Sequence, residues 1–206
     1  MLKTSKVVKS DKFFNPDKLI ITLHGYGTRG SDFAEIGEIF LKERIDNSIF
    51  LFPDGPESCD MGIEGFQWFS LDELNYDALR KGLSKTAPIL KKYIESKKQE
   101  YNCNNVYLVG FSQGSIMALE MIYHIKIEKI LVYSGLFAMP IEDKPISKPD
   151  VLIMHSDDDP VVPYSNAKRA ENNLLSLGIN ANLRTFHNIG HSISAEEWEI
   201  GSEFLK

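Results

Sequence analysis

The chain is organised around the stretch Val106-Tyr-Leu-Val-Gly-Phe-Ser-Gln-Gly-Ser115. Apolar residues come first, as in a buried strand, and Ser112 then follows with a glycine two positions to either side. A serine in this setting is typical of a nucleophile on a sharp turn from a strand into a helix, where side chains at Gly110 and Gly114 would clash with neighbouring backbone. The pattern also fits an ordinary glycine-rich strand–helix turn, so the nucleophile interpretation requires partners elsewhere in the chain.

Other short apolar runs predict the remaining strands of the same sheet. Nearly continuous apolar runs are typical of parallel strands that are covered on both faces. The runs are Leu19–Leu23, Ile49–Phe52, Ile130–Tyr133 and Val151–Met154, and the last strand, Leu183–Phe186, is more polar. Because helix-forming segments alternate with these strands, we expect an α/β fold with a mostly parallel, doubly wound sheet flanked by helices.

The predicted helices carry their own boundary signals. They are expected near Asp32 to Leu41, from Asp77 to about Lys98, directly after Ser115, from Pro163 to Leu177 with Gly178 as the stop, and from Ala195 to Leu205. Pro88 removes one hydrogen bond and clashes with the preceding turn, so we expect a kink or break near Ala87. The proline-rich connection from Pro140 to Pro149 predicts that the helix between its neighbouring strands is reduced or absent.

Length and composition predict one globular domain over residues 1–206. The chain is 43% hydrophobic and carries a net charge of −6. An acidic chain without basic clusters lacks the charge that nucleic-acid binding requires. The first nine residues are charged throughout and lack the apolar core of a signal peptide. Because no apolar run approaches the ~18 residues of a membrane span, we expect a cytoplasmic protein without stable membrane insertion.

The two cysteines, Cys59 and Cys103, share no metal-like spacing and form no disulfide framework. We therefore expect reduced thiols, no metal and no cofactor. The sequence leaves the oligomeric state open, with a homodimer as one candidate.

A serine nucleophile needs a base and an orienting carboxylate, because a free hydroxyl is too weak an acid to attack an acyl group at neutral pH. Where the serine lies on such an elbow, its partners follow in the order serine, acid, histidine, which excludes His24 as the base. If the acid lies within Asp157–Asp159, the same order excludes His124 and His155. The two candidate bases are then His187 and His191.

Among these candidates we favour His191 as the base and Asp159 as the acid. His191 follows a glycine in a loop beyond the last strand, whereas His187 lies at the end of that strand. Asp159 precedes Pro160, which biases it toward an extended conformation at the end of the sheet. Its neighbours Asp157 and Asp158 are expected to be solvated or to cap local turns.

Two further segments each allow two interpretations. The turn His24–Gly27 ends a strand, where its backbone N–H groups could stabilise an oxyanion, or its glycines could simply form a tight turn. The apolar loop from Met61 to Leu71 either packs into the core or lines one wall of an apolar substrate groove.

Taken together, the residues resemble the phospholipase/carboxylesterase family of the α/β-hydrolases, which includes the acyl-protein thioesterases. The matching stretches are Leu23–Gly27, Gln67–Phe69, Gly110–Gly114, Asp159–Pro163 and Gly190-His191. The chain departs from the family pattern at Ser115, where glycine is common, and at Phe66, where a polar residue is frequent. The interval from Ser112 to Asp159 also looks shorter than usual in the family.

The resemblance implies an α/β-hydrolase fold and a serine hydrolase acting on carboxylic esters or thioesters. Because the assigned strands and helices leave no insertion large enough for one, we expect no separate lid domain. The resemblance also implies a triad of Ser112, Asp159 and His191. The backbone N–H groups of Tyr26 and Gln113 would form the oxyanion hole. Trp68 and Val161 would border the acyl groove. Small-molecule esters, lysophospholipids and acylated proteins are the substrate classes that this resemblance suggests.

One alternative from another class is a protein of the same fold that binds a ligand or partner without turnover. The complete set of serine, acid and base favours the enzyme, because a binding protein has no need of all three. A dehalogenase or lactone hydrolase on this fold would carry Asp or Cys at the elbow, whereas this chain has Ser112.

Overall fold

The structure, a computed structural model, describes residues 2–9, 15–34, 38, 45, 47–60, 62, 64–71, 75–138 and 144–206. The strands in chain order are β1 (Thr4–Lys9), β2 (Lys18–Leu23), β3 (Ser48–Pro53), β4 (Glu57–Ser58), β5 (Phe66–Gln67), β6 (Val106–Phe111), β7 (Lys129–Tyr133), β8 (Asp150–Ser156) and β9 (Ala181–Phe186). The longer helices are α1 (Tyr76–Tyr101), α2 (Gln113–Glu120), α3 (Tyr164–Ser176) and α4 (Ala195–Leu205).

Seven of the strands form one sheet in the order β1-β3-β2-β6-β7-β8-β9. β1 runs antiparallel to β3, and the remaining neighbours are parallel. The strands β4 and β5 form a separate two-stranded ribbon. The predicted, mostly parallel α/β sheet is therefore confirmed. Because the carboxyl ends of parallel strands meet at one edge, the loops after β2, β6, β8 and β9 lie along the same edge.

The strands bury side chains on both faces of the sheet. In β2, Leu19 and Ile21 belong to one hydrophobic cluster, which α1, α2 and α3 complete, whereas Ile20 belongs to a second cluster. Phe33 and Trp198 contribute to that second cluster. This alternation along a strand that is covered on both faces explains why the strands read as continuous apolar runs.

Helix α1 corrects the expectation at Pro88. It runs unbroken from Tyr76 to Tyr101 with Pro88 inside it, so the alternative of a break near Ala87 is wrong. Pro88 lies on the exposed face, as does Ser84, whose carbonyl is left without the proline's N–H and can be hydrated there. Leu83, Ala87 and other buried residues on the opposite face keep packing against the core through the proline.

The remaining predicted helices agree with the structure where it describes them. Helices α3 and α4 match the predicted segments, and Gly178 adopts a φ of 71° just after α3. Residues 30–34 are helical, and most of residues 35–41 lie outside the described part of the chain. Residues 144–149 form no helix, whereas residues 139–143 lie outside the described part. No described helix has the length and apolar character that a membrane span requires.

Candidate active site

Ser112 occupies a sharp turn between β6 and α2. Its backbone has φ 52° and ψ −116°, a left-handed conformation that few non-glycine residues adopt. Its N–H donates to Tyr133 O at 2.9 Å, which ties the turn to β7. A Cβ at Gly110 would collide with the backbone of Ser115, and one at Gly114 would collide with Leu23 O. The predicted need for glycine on both sides of the serine is therefore confirmed.

Ser112, His191 and Asp159 come together as a continuous chain of contacts. The Oγ of Ser112 lies 3.0 Å from Nε2 of His191, and Nδ1 of His191 lies 2.8 Å from Oδ2 of Asp159. The three residues follow β6, β9 and β8, so three different loops at one edge of the sheet supply them. This is the geometry of a nucleophile, a base and an orienting carboxylate.

Asp159 is held as a carboxylate in the protein interior, with its side chain fully buried. Its Oδ1 accepts hydrogen bonds from the N–H groups of Val161 at 2.8 Å and Val162 at 2.9 Å. Burial raises the pKa of Asp159, but the hydrogen bonds from His191 and from the two N–H groups outweigh it. The net pKa lies below the ordinary value, so the carboxylate is ionised at neutral pH.

The loop that carries His191 is fixed by residues at the end of β8 and directly after it. Gly190 N–H donates to Oδ1 of Asp158 at 3.1 Å, and Ile189 N–H donates to Oγ of Ser156 at 3.2 Å. The Ser156 hydroxyl also donates to Asp158. The sequence analysis missed this role of Asp158, because three consecutive aspartates give no signal that separates a loop anchor from a solvated carboxylate.

The other candidate histidine pairs elsewhere. His187 Nδ1 lies 2.7 Å from Oδ2 of Asp157, and the His187 side chain is 68% exposed. His124 contacts the buried carboxylate of Glu120 at 3.1 Å. In addition, Phe111 packs its ring against the imidazole of His191, with ring centroids 5.0 Å apart. The geometry thus separates His191 from His187, which the sequence could only rank.

The turn after β2 lies beside Ser112. A Cβ at Gly25 would come within 3.6 Å of the Cβ of Ser112, which brings the backbone next to Tyr26 close to the elbow. Gln113 is the first residue of α2, so its N–H is among the helix N–H groups that have no partner within the helix. Tyr26, in the turn after β2, and Gln113, at the start of α2, are therefore both next to residues that lie at the elbow.

His24 stabilises this turn and is not a base. Its Nε2 accepts the N–H of Gly55 at 2.9 Å, so its proton resides on Nδ1, which lies 2.7 Å from Gly25 O. Burial lowers the pKa of His24 despite the opposing effect of its bond to Gly25. A buried, neutral imidazole with both nitrogens engaged holds the turn in place.

Trp68 departs from the expectation that it borders an acyl groove. Its side chain is fully buried, its Nε1 donates to His24 O at 2.9 Å, and its ring centroid lies 5.4 Å from that of His24. The indole N–H thus finds its acceptor inside the protein, and the ring supports the turn instead of facing a groove. Val161, by contrast, is 63% exposed two residues after Asp159.

Most of the described apolar loop packs into the core. Trp68 and Phe69 belong to a core cluster, and Leu71 packs against it, whereas Phe66 is half-buried. Met61 and Ile63 lie outside the described residues. Within the described residues, no group of three or more His, Cys, Asp and Glu side chains is arranged to hold a metal ion.

Comparison with known proteins identifies the family. The family model described as Phospholipase/Carboxylesterase matches residues 3–206. The chain belongs to the phospholipase/carboxylesterase family. The predicted resemblance and the class of carboxylic ester hydrolase are thereby confirmed.

Similar proteins cover most or all of the chain. A probable carboxylesterase SOBER1-like protein of Arabidopsis thaliana is 29% identical over 227 residues, which span 100% of this chain and 86% of the relative. An acyl-protein thioesterase 1 of Gibberella zeae is 26% identical over 208 residues, 91% of this chain and 88% of the relative. The crystal structure of esterase PE8 superposes with a TM-score of 0.91 at 28% identity and covers 99% of this chain and 97% of that one. The predicted α/β-hydrolase fold is confirmed.

Proposed function

We propose that this family member hydrolyses carboxylic esters or thioesters through an acyl-enzyme intermediate on Ser112. The observation that carries the proposal is the unbroken series of contacts from Ser112 Oγ to His191 and on to the buried carboxylate of Asp159. A protein that only bound a ligand would have no need of a strained serine, a base in contact with it and a buried, ionised acid together.

In the acylation step, His191 Nε2 takes the proton of Ser112 as Oγ attacks the carbonyl carbon of the substrate. Asp159 accepts the Nδ1–H of His191, fixes its tautomer and stabilises the imidazolium that forms. Collapse of the tetrahedral intermediate breaks the bond to the alcohol or thiol, which leaves with the proton from His191. A water molecule then attacks the acyl-enzyme with the same base, and Ser112 is regenerated.

The oxyanion of each tetrahedral intermediate would be held by the backbone N–H groups of Tyr26 and Gln113. The proximity of the Gly25 turn to Ser112 and the position of Gln113 at the start of α2 support this role. The amino end of α2 adds the positive end of its dipole at the same place. Buried side chains fix the turn after β2 and the start of α2, so both N–H donors are oriented before the oxyanion forms.

The acyl group would lie along a short, open apolar surface to which Val161 contributes. The described residues include no insertion that forms a separate lid, and Trp68 and Phe69 are withdrawn into the core. We therefore propose short to medium acyl chains in water-soluble esters as substrates. A lysophospholipid or an acylated protein would bind with only part of its acyl chain covered.

The cytoplasmic location and the homodimer stay predictions.

Labelling with a fluorophosphonate probe tests the proposal directly. The probe should modify the wild-type protein on Ser112 alone, as read by peptide mass spectrometry, and should not modify Ser112→Ala. A protein that takes up no probe and turns over neither p-nitrophenyl esters nor acyl thioesters would support the alternative of a non-catalytic binding protein. Labelling at another serine would contradict the assignment of Ser112.

A further inference from the structure

His155 is a buried histidine that the proposed reaction does not use. It lies near the carboxyl end of β8, four residues before Asp159, and its side chain is fully buried. Its Nε2 lies 2.8 Å from the carbonyl oxygen of Val162 and 3.3 Å from Oδ2 of Asp159. The same carboxylate oxygen receives Nδ1 of His191. Two imidazoles therefore face one oxygen of the acid.

The partners of His155 define which nitrogen carries its proton. Val162 O and the Asp159 carboxylate are both acceptors, so the proton resides on Nε2. Nδ1 is buried and has no hydrogen-bond partner among the described residues. A second proton there would create a buried N–H without an acceptor, which is costly. His155 is thus neutral, in agreement with the effect of burial, which lowers its pKa.

The contacts of His155 help to hold the turn Asp159–Val162, which carries the acid. Its Nε2–H donates to Val162 O, and the N–H of Val162 donates to Oδ1 of Asp159. Val162 is therefore held through both its N–H and its carbonyl oxygen. Tyr164 at the start of α3 packs edge-on against the His155 ring, with centroids 6.0 Å apart. The ionisable groups that face His155 are Asp159, His191 and Tyr164.

We propose that His155 is a positioning residue of the triad: as a neutral donor to Val162, it fixes the rotation of the Asp159 carboxylate toward His191. This inference rests on the proposed function, since it assigns a role within that reaction. His155 does not contact Ser112 and takes no proton from it. It acts through the turn Asp159–Val162, which sets where Oδ2 meets Nδ1 of His191.

Two amide substitutions separate this role from simple packing. In His155→Gln the side-chain amide N–H can occupy the place of Nε2 and donate to Val162 O, whereas in His155→Asn the shorter amide cannot reach it. The matched control is His187→Asn, which removes an imidazole from an exposed pair with Asp157 at the end of the neighbouring strand. Circular dichroism and a thermal melt are recorded for each variant, and kcat and KM are measured across pH on a p-nitrophenyl ester.

We expect His155→Asn to lose at least about tenfold in kcat with KM nearly unchanged, because a misplacement of a catalytic group by about 1 Å can cost about 100-fold in rate. The acid limb of its kcat/KM profile should move to lower pH, because a displaced carboxylate stabilises the His191 imidazolium less. His155→Gln should recover most of the activity and the original limb. His187→Asn should behave as wild type.

Three outcomes would overturn the inference while the wild type remains active and probe-reactive. The first is a His155→Asn variant with the kcat of the wild type. The second is an equal loss of kcat in the Gln and Asn variants. The third is a smaller amount of active protein in His155→Asn, with the acid limb of the kcat/KM profile unmoved. If His155→Asn fails to fold, the Gln variant decides, because a Gln variant that is folded but impaired contradicts the donor role. An inactive wild type would refute the proposed function instead.

Discussion

The side chain of Gln113 binds the backbone on both sides of the Trp68–Phe69 peptide bond. Its Oε1 accepts the N–H of Trp68 at 2.9 Å, and its Nε2 donates to Phe69 O at 2.6 Å. Gln113 is itself buried, and it directly follows Ser112. The residue after Ser112 therefore fixes the loop whose Trp68 supports the His24 turn, so both sides of the proposed oxyanion hole belong to one hydrogen-bonded unit.

Gln113→Glu should destabilise the protein by about 1–3 kcal/mol, because the carboxylate cannot donate to Phe69 O and leaves a buried acceptor unpaired. Urea unfolding followed by fluorescence measures the loss. The matched control is Gln99→Glu on the exposed face of α1, which should change stability by less than about 0.5 kcal/mol. Equal stability of the two variants would show that the Gln113 bonds do not hold the loop.

Stability should fall as the pH drops below the ordinary histidine value of 6.5. Burial lowers the pKa of both His24 and His155 in the folded protein. The unfolded chain therefore takes up protons first, and the stability present above pH 6.5 is lost as the pH falls from there toward the folded pKa values. Each group contributes a slope of at most about 1.4 kcal/mol per pH unit.

Urea midpoints between about pH 8 and about pH 5 test this expectation. Asp159 affects stability in a separate pH range. Because its pKa is lowered in the folded protein, the stability that it contributes is lost at more acidic pH, below the ordinary carboxylate range. A midpoint that stays constant or rises from pH 8 to pH 5 would contradict the neutral, buried state of both histidines.

The three consecutive aspartates should respond very differently to asparagine. Asp159→Asn leaves His191 in the wrong tautomer, a change that costs about 10⁴ in turnover in a trypsin-type triad. Asp157→Asn disturbs only an exposed pair with His187, and Asp158→Asn keeps an oxygen that can accept Gly190 N–H. We expect these two variants to lose at most about tenfold in kcat.

The comparison requires kcat for all three variants side by side, after circular dichroism shows that each is folded. A crippled Asp157→Asn or Asp158→Asn variant beside a normal Asp159→Asn variant would reject both the order of the triad and its geometry.

An acyl-chain series should show a preference for short to medium chains. An apolar surface without a lid covers only part of a chain, at about 0.8 kcal/mol per buried CH₂, so the gain should stop once the chain extends beyond it. Rates on p-nitrophenyl esters and on acyl thioesters from acetyl to palmitoyl measure this. A rate that keeps rising to the longest chain, or a jump in activity at a lipid interface, would contradict it.

The sequence predicted those parts of the fold and site that are local or ordered along the chain. The buried strands, from Leu19–Leu23 to Val151–Met154, are apolar because the sheet is covered on both faces, and that property is visible in the residues themselves. Ser112 is marked by its glycines, because no Cβ fits at Gly110 or Gly114. The order of acid and base along the chain then reduced the candidate bases to His187 and His191.

The features that the sequence did not reveal depend on long-range contacts. The edge strand β1 mixes lysines with its apolar residues because it is only partly covered. The family resemblance implies that Trp68 borders the groove, whereas in the structure its N–H donates to His24 O. Asp158 and Gln113 bind backbone atoms of distant loops, and His155 contacts the carbonyl of Val162 across a turn. No local pattern predicts such partners. Pro88 is tolerated because it lies on the exposed face of α1.

Turnover by Ser112→Ala tests the central claim most directly, with Ser115→Ala as its control. Ser115 lies on the same elbow, but its Oγ is buried 2.7 and 2.8 Å from the carbonyl oxygens of Gly110 and Tyr133, which share its single proton. We expect Ser112→Ala to stay folded and to retain at most about a thousandth of the wild-type kcat on a p-nitrophenyl ester. Ser115→Ala should keep most of its activity. A folded Ser112→Ala variant that retains more than a few per cent of wild-type turnover would contradict the account.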